Sequence, residues 1–92
     1  MATNYQDVKR IQLAVAAELR AAVARSGLTQ EAVADQAGLS RSTVSRLLKG
    51  SRSADVTQLF KIAGVVGAEP GELLDAAQRE YERKKNAGAN PD

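Results

Sequence analysis

Between Leu28 and Gly50 the chain reads LTQEAVADQAGLSRSTVSRLLKG, and the spacing of its apolar residues leaves little freedom in how it folds. Val33, Ala34 and Ala37 recur at helical spacing and give a narrow inward stripe over Gln30 to Ala37. Thr29 stands just before that stripe as an N-cap, with its hydroxyl placed to accept a free backbone N–H, and Glu31 brings negative charge to the first turn. Gly38 is the residue type that takes the left-handed conformation at a helix end. A second stripe begins at once. Leu39 is placed to plug the core from the turn, and Ser40 is another N-cap. Val44, Leu47 and Leu48, at i, i+3 and i+4, fix the buried side of a further short helix closed by Gly50. The spacing predicts two short helices joined by a tight turn.

At about 100° per residue, burial of Val44, Leu47 and Leu48 turns Ser42, Ser45, Arg46 and Lys49 outward, with Arg41 beside them at the first turn. Hydroxyls, guanidiniums and an ammonium are the donors that guanine edges and phosphates accept. The same pattern also fits the solvated face of a small bundle, because helix, glycine turn and helix occur in proteins that never touch DNA. Charge placement bears on the choice. The chain carries 13 Lys and Arg against 11 Asp and Glu, and a net charge of +2 says little by itself. Arg41, Arg46, Lys49, Arg52 and Lys61, however, are opposed between positions 41 and 61 only by Asp55, while Glu31 and Asp35 sit on the preceding helix. Such a local basic patch is an electrostatic footprint suited to nucleic acid.

The segment from about Val15 to Leu74 resembles the lambda-repressor-like helix-turn-helix family, the Cro and phage-repressor group also called XRE-type. GLTQEAVADQAGLSRSTVSRLLKG at 27–50 carries the resemblance, with Leu28, Thr29, Gln30, Ala34, Gly38, Leu39, Ser40, Val44, Leu47 and Gly50 in register without a gap. VTQLFKIAGVVGAEPGELL at 56–74 is similar to the family's fourth helix and the start of its fifth. The resemblance implies an all-α, five-helix DNA-binding domain, here with an extended first helix. We place that domain at 1–85, its reading unit at 29–50, and a flexible tail at 86–92. Many family members join the first and third helices by an Arg–Glu ion pair. The corresponding positions here are Val23 and Leu48, and an apolar contact would hold the same geometry without burying charge.

Outside the reading unit the sequence predicts scaffold. From Tyr5 to Ser26, Val8, Ile11, Val15, Leu19, Ala22 and Val23 share one helical face, ended by Gly27. Leu13, Ala17 and Ala21 form a weaker second stripe, suited to a partner subunit, to the last helix, or to no partner at all. Asp55 and Gln58 have capping-box spacing, and Val56, Leu59, Phe60, Ala63 and Val66 are expected to face inward from a fourth helix. Gly64 inside that helix costs about 1 kcal/mol relative to alanine, for which close backbone packing would be a reason. Gly67 is placed to end it, and Pro70 fits the first turn of a fifth helix, whose Leu73, Leu74, Ala77 and Tyr81 share a face. Leu73 and Leu74 are expected in the core. By resemblance, Ala77 and Tyr81 are expected at a dimer interface.

The resemblance also implies roles. Gln30 contacts a DNA phosphate, and the free N–H groups at the helix N-terminus capped by Ser40 favour the same anion. Arg41, Ser42, Thr43 and Arg46 match the positions from which the family contacts base edges. The direction of Thr43 is lateral, which leaves its hydroxyl to the groove or to the helix backbone. Ser45, Lys49 and Arg52 are expected to follow the sugar-phosphate backbone as positioning contacts. The implied partner is double-stranded DNA, bound by a homodimer at a palindromic operator, and the implied function is transcriptional regulation, most simply repression. An antitoxin that also binds a protein toxin is the alternative.

Catalysis is not expected. The chain has no histidine and no cysteine, no glycine-rich phosphate loop and no metal-ligand spacing. General acid–base chemistry near neutral pH would need a strongly shifted carboxylate or lysine that nothing in the pattern indicates. No cofactor and no metal are therefore expected. The N-terminus lacks a signal-peptide pattern and no apolar run approaches membrane-spanning length, so a cytoplasmic, nucleoid-associated protein is the expectation.

Overall fold

The structure, a computed structural model, describes residues 5–89, which form five helices and no strand: α1 (Tyr5–Ser26), α2 (Gln30–Ala37), α3 (Arg41–Lys49), α4 (Val56–Val66) and α5 (Pro70–Ala89). Short polar side chains start three of them. The Thr29 hydroxyl accepts from the Ala32 amide at 3.0 Å, and the Ser40 hydroxyl accepts from the Thr43 amide at 3.1 Å. Asp55 and Gln58 complete a reciprocal capping box, with the Gln58 amide donating to Asp55 at 2.7 Å and the Asp55 amide donating to Gln58 at 3.1 Å. At the end of α2, Gly38 takes φ 69°, which lets its amide and that of Leu39 turn back to the Asp35 and Ala34 carbonyls. That reversal brings α3 onto α2 within three residues.

One core joins all five helices. Leu19 of α1, Val33 of α2, Val44 and Leu47 of α3 and Ile62 of α4 are essentially inaccessible, and Leu48, Leu59, Ala63 and Leu73 pack around them. Burial of each such Val, Leu or Ile side chain contributes about 1.5–3 kcal/mol. Leu39 packs on this cluster from the turn, half-buried, and so does Val15. The expected stripe of the reading unit, Val33, Ala34, Ala37, Val44, Leu47 and Leu48, is buried throughout. Val23 and Leu48 are buried as well, and the described residues bury no charged side chain.

Elsewhere the structure departs from the expected faces. On α1 the core begins at Ala14, and Val8 and Ile11 remain 47% and 43% exposed because they face grooves left open beside positions 52–54 and, for Ile11, beside α5. On α4 the inward face is Leu59, Ile62, Ala63 and half-buried Val66, while Val56 and Phe60 are 71% and 57% exposed. The α4 segment VTQLFKIAGVV supplies two overlapping apolar stripes, and packing against α1 and α2 selects the one that contains Ile62. Gly64 is exposed, and a Cβ built there meets nothing within 4 Å, so close packing does not account for it.

The last helix lies along the first. Leu73 is buried, but Leu74 is rotated by one position to the rim and is exposed. Ala77 is only 4% exposed because it faces α1 within the same chain, so it is not available on the surface. Leu13 and Ala17 line a small cavity with Tyr81 and Lys84 of α5, so part of the second α1 stripe meets the last helix. Glu80 ion-pairs with Arg83 at 2.6 Å and Lys84 at 3.1 Å, contacts that hold its carboxyl below the usual carboxylate range. The helix continues through Ala89, past the boundary expected after Lys85. The lack of an apolar face at 86–89 does not stop a helix already nucleated and rich in alanine. The remainder of the expected tail, 90–92, lies outside the described residues.

Candidate nucleic-acid interface

Burial of Val44, Leu47 and Leu48 orients α3 and leaves its opposite side to solvent. Arg41, Ser42, Arg46 and Lys49 are exposed along that side, with Ser40 exposed at its head and Ser45 half-buried at its edge. Gln30 is exposed at the start of α2, and Arg52 in the segment that follows α3. Among the described residues Arg41, Arg46, Lys49 and Arg52 make no ion pair or side-chain hydrogen bond, so their donors are free for an incoming acceptor. The Ser40 hydroxyl donates to that of Thr43 at 2.8 Å and lies 3.4 Å from that of Ser42. Thr43 is half-buried within this cap, the lateral position its direction indicated. Lys61 is exposed on α4.

The far end of α3 is held by α1, in a way the sequence did not disclose. Gly50, at φ 79°, reverses the chain: its amide bonds the Leu47 carbonyl and the Ser51 amide bonds that of Arg46 at 3.1 Å. The next carbonyl, Leu48, accepts from the Arg20 guanidinium at 2.5 Å. The Gly50 carbonyl accepts from the Gln12 amide at 2.6 Å and from the Lys9 ammonium at 3.4 Å, and the Ser53 hydroxyl donates to Gln12 at 2.7 Å. Cationic groups at a helix C-terminus also oppose the partial negative charge there. Thus α1 and α3 are joined by Val23 and Leu48 in the core and by Arg20 on a backbone carbonyl at its margin. A visible signal existed for Gln12 alone: it is a polar residue between Val8 and Ala16 on an otherwise apolar flank of α1.

Two short helices locked around Gly38, with an open cationic face on the second, define a helix-turn-helix unit. The chain belongs to the helix-turn-helix family HTH_3, of the Cro/C1 or XRE type, whose family description matches residues 19–73. This is a family of DNA-binding transcriptional regulators. Solved structures agree. The restriction-modification controller protein C.AhdI from Aeromonas hydrophila is similar at 32% identity and a TM-score of 0.64, over 67% of this chain and 94% of that one. The clp gene regulator ClgR from Corynebacterium glutamicum is similar in one structure at 25% identity and a TM-score of 0.70, over 74% of this chain and 88% of that one. A second structure of ClgR shares the fold at 22% identity and a TM-score of 0.78, covering 86% and 84%. No curated protein matches the sequence significantly. Among the described residues no helix is long and apolar enough to cross a membrane.

Proposed function

We propose that the protein is a sequence-specific transcriptional repressor that binds a near-palindromic operator as a homodimer, with α3 in the major groove. The observation that carries this reading is the uncommitted face of α3, where Arg41, Ser42 and Arg46 project without intramolecular partners of opposite charge. Arg41 and Arg46 each offer a planar fork to a guanine O6/N7 pair, a contact worth about 1–3 kcal/mol of discrimination. Gln30, Ser45, Lys49 and Arg52 serve the sugar-phosphate backbone and fix register, while Ser40 and Thr43 hold the N-terminus of α3 open to an anion. The activity is placed in the cytoplasm, on the nucleoid.

Dimer formation needs apolar surface away from that face. An open groove lined by Ile11, Val15, Leu74 and Tyr81 runs between α1 and α5, and it supports a two-fold contact there that retains Tyr81. Ala77 then acts from beneath, by holding α5 on α1. Such a dimer presents its two α3 helices to half-sites about 34–36 Å apart, one turn of DNA. The test is selection of bound sequences from a random duplex library near physiological salt. Enrichment of a palindrome supports the reading. An asymmetric half-site removes the two-fold dimer, and no enrichment removes sequence-specific binding and favours a protein partner such as a toxin.

A further inference from the structure

Gln12 lies in the part of α1 that precedes the family match at 19–73, yet it makes two hydrogen bonds to the segment leaving α3. Its amide N–H donates to the Gly50 carbonyl at 2.6 Å, and its carbonyl oxygen accepts from the Ser53 hydroxyl at 2.7 Å. One side chain thereby ties both ends of a four-residue span, positions 50–53. Two neighbours reinforce the first tie. Lys9 donates to the same Gly50 carbonyl at 3.4 Å, and the Leu13 side chain lies over Gly50, whose added Cβ would stand 2.7 Å from its Cδ2. Between the two tied ends sits Arg52, exposed and without an intramolecular partner among the described residues.

A loop pinned at both ends has few conformations left to lose when its central residue engages a ligand, so it binds with less ordering cost than a free loop. We infer that Gln12 is a positioning residue for DNA binding: it holds the 50–53 segment against α1 so that Arg52 is set, in advance, against the phosphate backbone. The inference rests on the reading of Arg52 as a phosphate contact. It extends the DNA-binding apparatus to the first turns of α1, which act on the DNA only through the 50–53 segment.

The test uses the full chain and a mixed-sequence DNA duplex, with Kd measured over a series of salt concentrations at a temperature where melting curves show every variant folded. Each phosphate contact contributes about 0.9 to the slope of log K against log salt. Arg52→Ala is expected to lower the slope by about one such contact. Gln12→Ala is expected to lower it in the same direction, Ser53→Ala to do so by less, and Gln12→Ala/Arg52→Ala to fall no further than Arg52→Ala alone. Loss of a purely structural tie would lower the melting temperature and leave the slope intact. An unchanged slope in Gln12→Ala, with a lowered slope in Arg52→Ala, overturns the inference and spares the reading of Arg52. An unchanged slope in Arg52→Ala overturns that reading, and the inference with it.

Discussion

Replacement of Gly50 by alanine separates the two demands placed on the end of the recognition helix. Gly38 and Gly50 take nearly the same backbone angle, φ 69° and φ 79°, so the strain of an L-residue in the left-handed region is shared, about 1–2 kcal/mol in each case. Their surroundings differ. A Cβ at 38 meets nothing within 4 Å, whereas a Cβ at 50 stands 2.7 Å from Leu13 Cδ2 and 3.3 Å from Ala16 Cβ. The Leu13 tip is the far end of a flexible and partly exposed side chain, so it can swing aside at roughly 0.5–1.5 kcal/mol, the cost of an unfavourable rotamer. Ala16 is on the helix itself and must give by a few tenths of an ångström. Gly50→Ala is therefore expected to destabilise by about 1.5–3.5 kcal/mol and Gly38→Ala by about 1–2 kcal/mol. For a chain of this size each kcal/mol lowers Tm by about 4–8 °C. Urea denaturation of both variants, repeated in a Leu13→Ala background, isolates the contact: the excess cost at 50 should shrink when Leu13 is truncated, and that at 38 should not change. Equal costs at 38 and 50 would refute the packing of α1 over the end of α3, and an excess at 50 undiminished by Leu13→Ala would refute the part assigned to Leu13.

Three further outcomes follow from the same geometry. Arg46→Ala should weaken binding to the selected site by about 1–3 kcal/mol and relax preference at one base pair, while Lys49→Ala should weaken all sequences alike and lower the salt slope, both measured by titration of labelled duplexes. Gly64→Ala, at an exposed position inside α4 with open space around it, should stabilise the fold by about 0.5–1 kcal/mol in thermal melts, and a loss of stability would show a close packing role that the structure does not contain. Tyr81→Asp and Leu74→Asp should each shift the dimer towards monomer in sedimentation, whereas monomer formation by Phe60→Asp alone would move the two-fold contact to α4.

The reading unit was legible because local rules decide it. Thr29, Ser40, Gly38 and Gly50 set the ends of two short helices, and a narrow apolar stripe leaves only one face for each to bury. α4 was legible in its ends, fixed by Asp55 and Gly67, and not in its rotation. With Val56, Leu59, Phe60, Ile62 and Ala63 all apolar, periodicity offers two faces, and the neighbouring helices choose between them. The first turns of α1 were misjudged for another reason: Val8 and Ile11 share a stripe with Leu19, but they face grooves open to solvent, bordered by positions 52–54 and, for Ile11, by α5, and how tightly a neighbour closes on a helix is not written in that helix. The ties from Lys9, Gln12 and Arg20 to the end of α3 join residues far apart in sequence through backbone carbonyls, which have no residue identity to recognise. Ala77 shows the same limit, since a small apolar residue on an exposed-looking face serves a partner chain or a neighbouring helix equally well.

Whether the polar face of α3 meets DNA is decided by backbone-amide shifts in a labelled protein titrated with the selected duplex. The largest changes are expected at Gln30, across Ser40 to Arg46, and at Lys49 and Arg52, with the buried positions of α5 little affected. Changes concentrated on α5, with the amides of α3 unmoved, would contradict it.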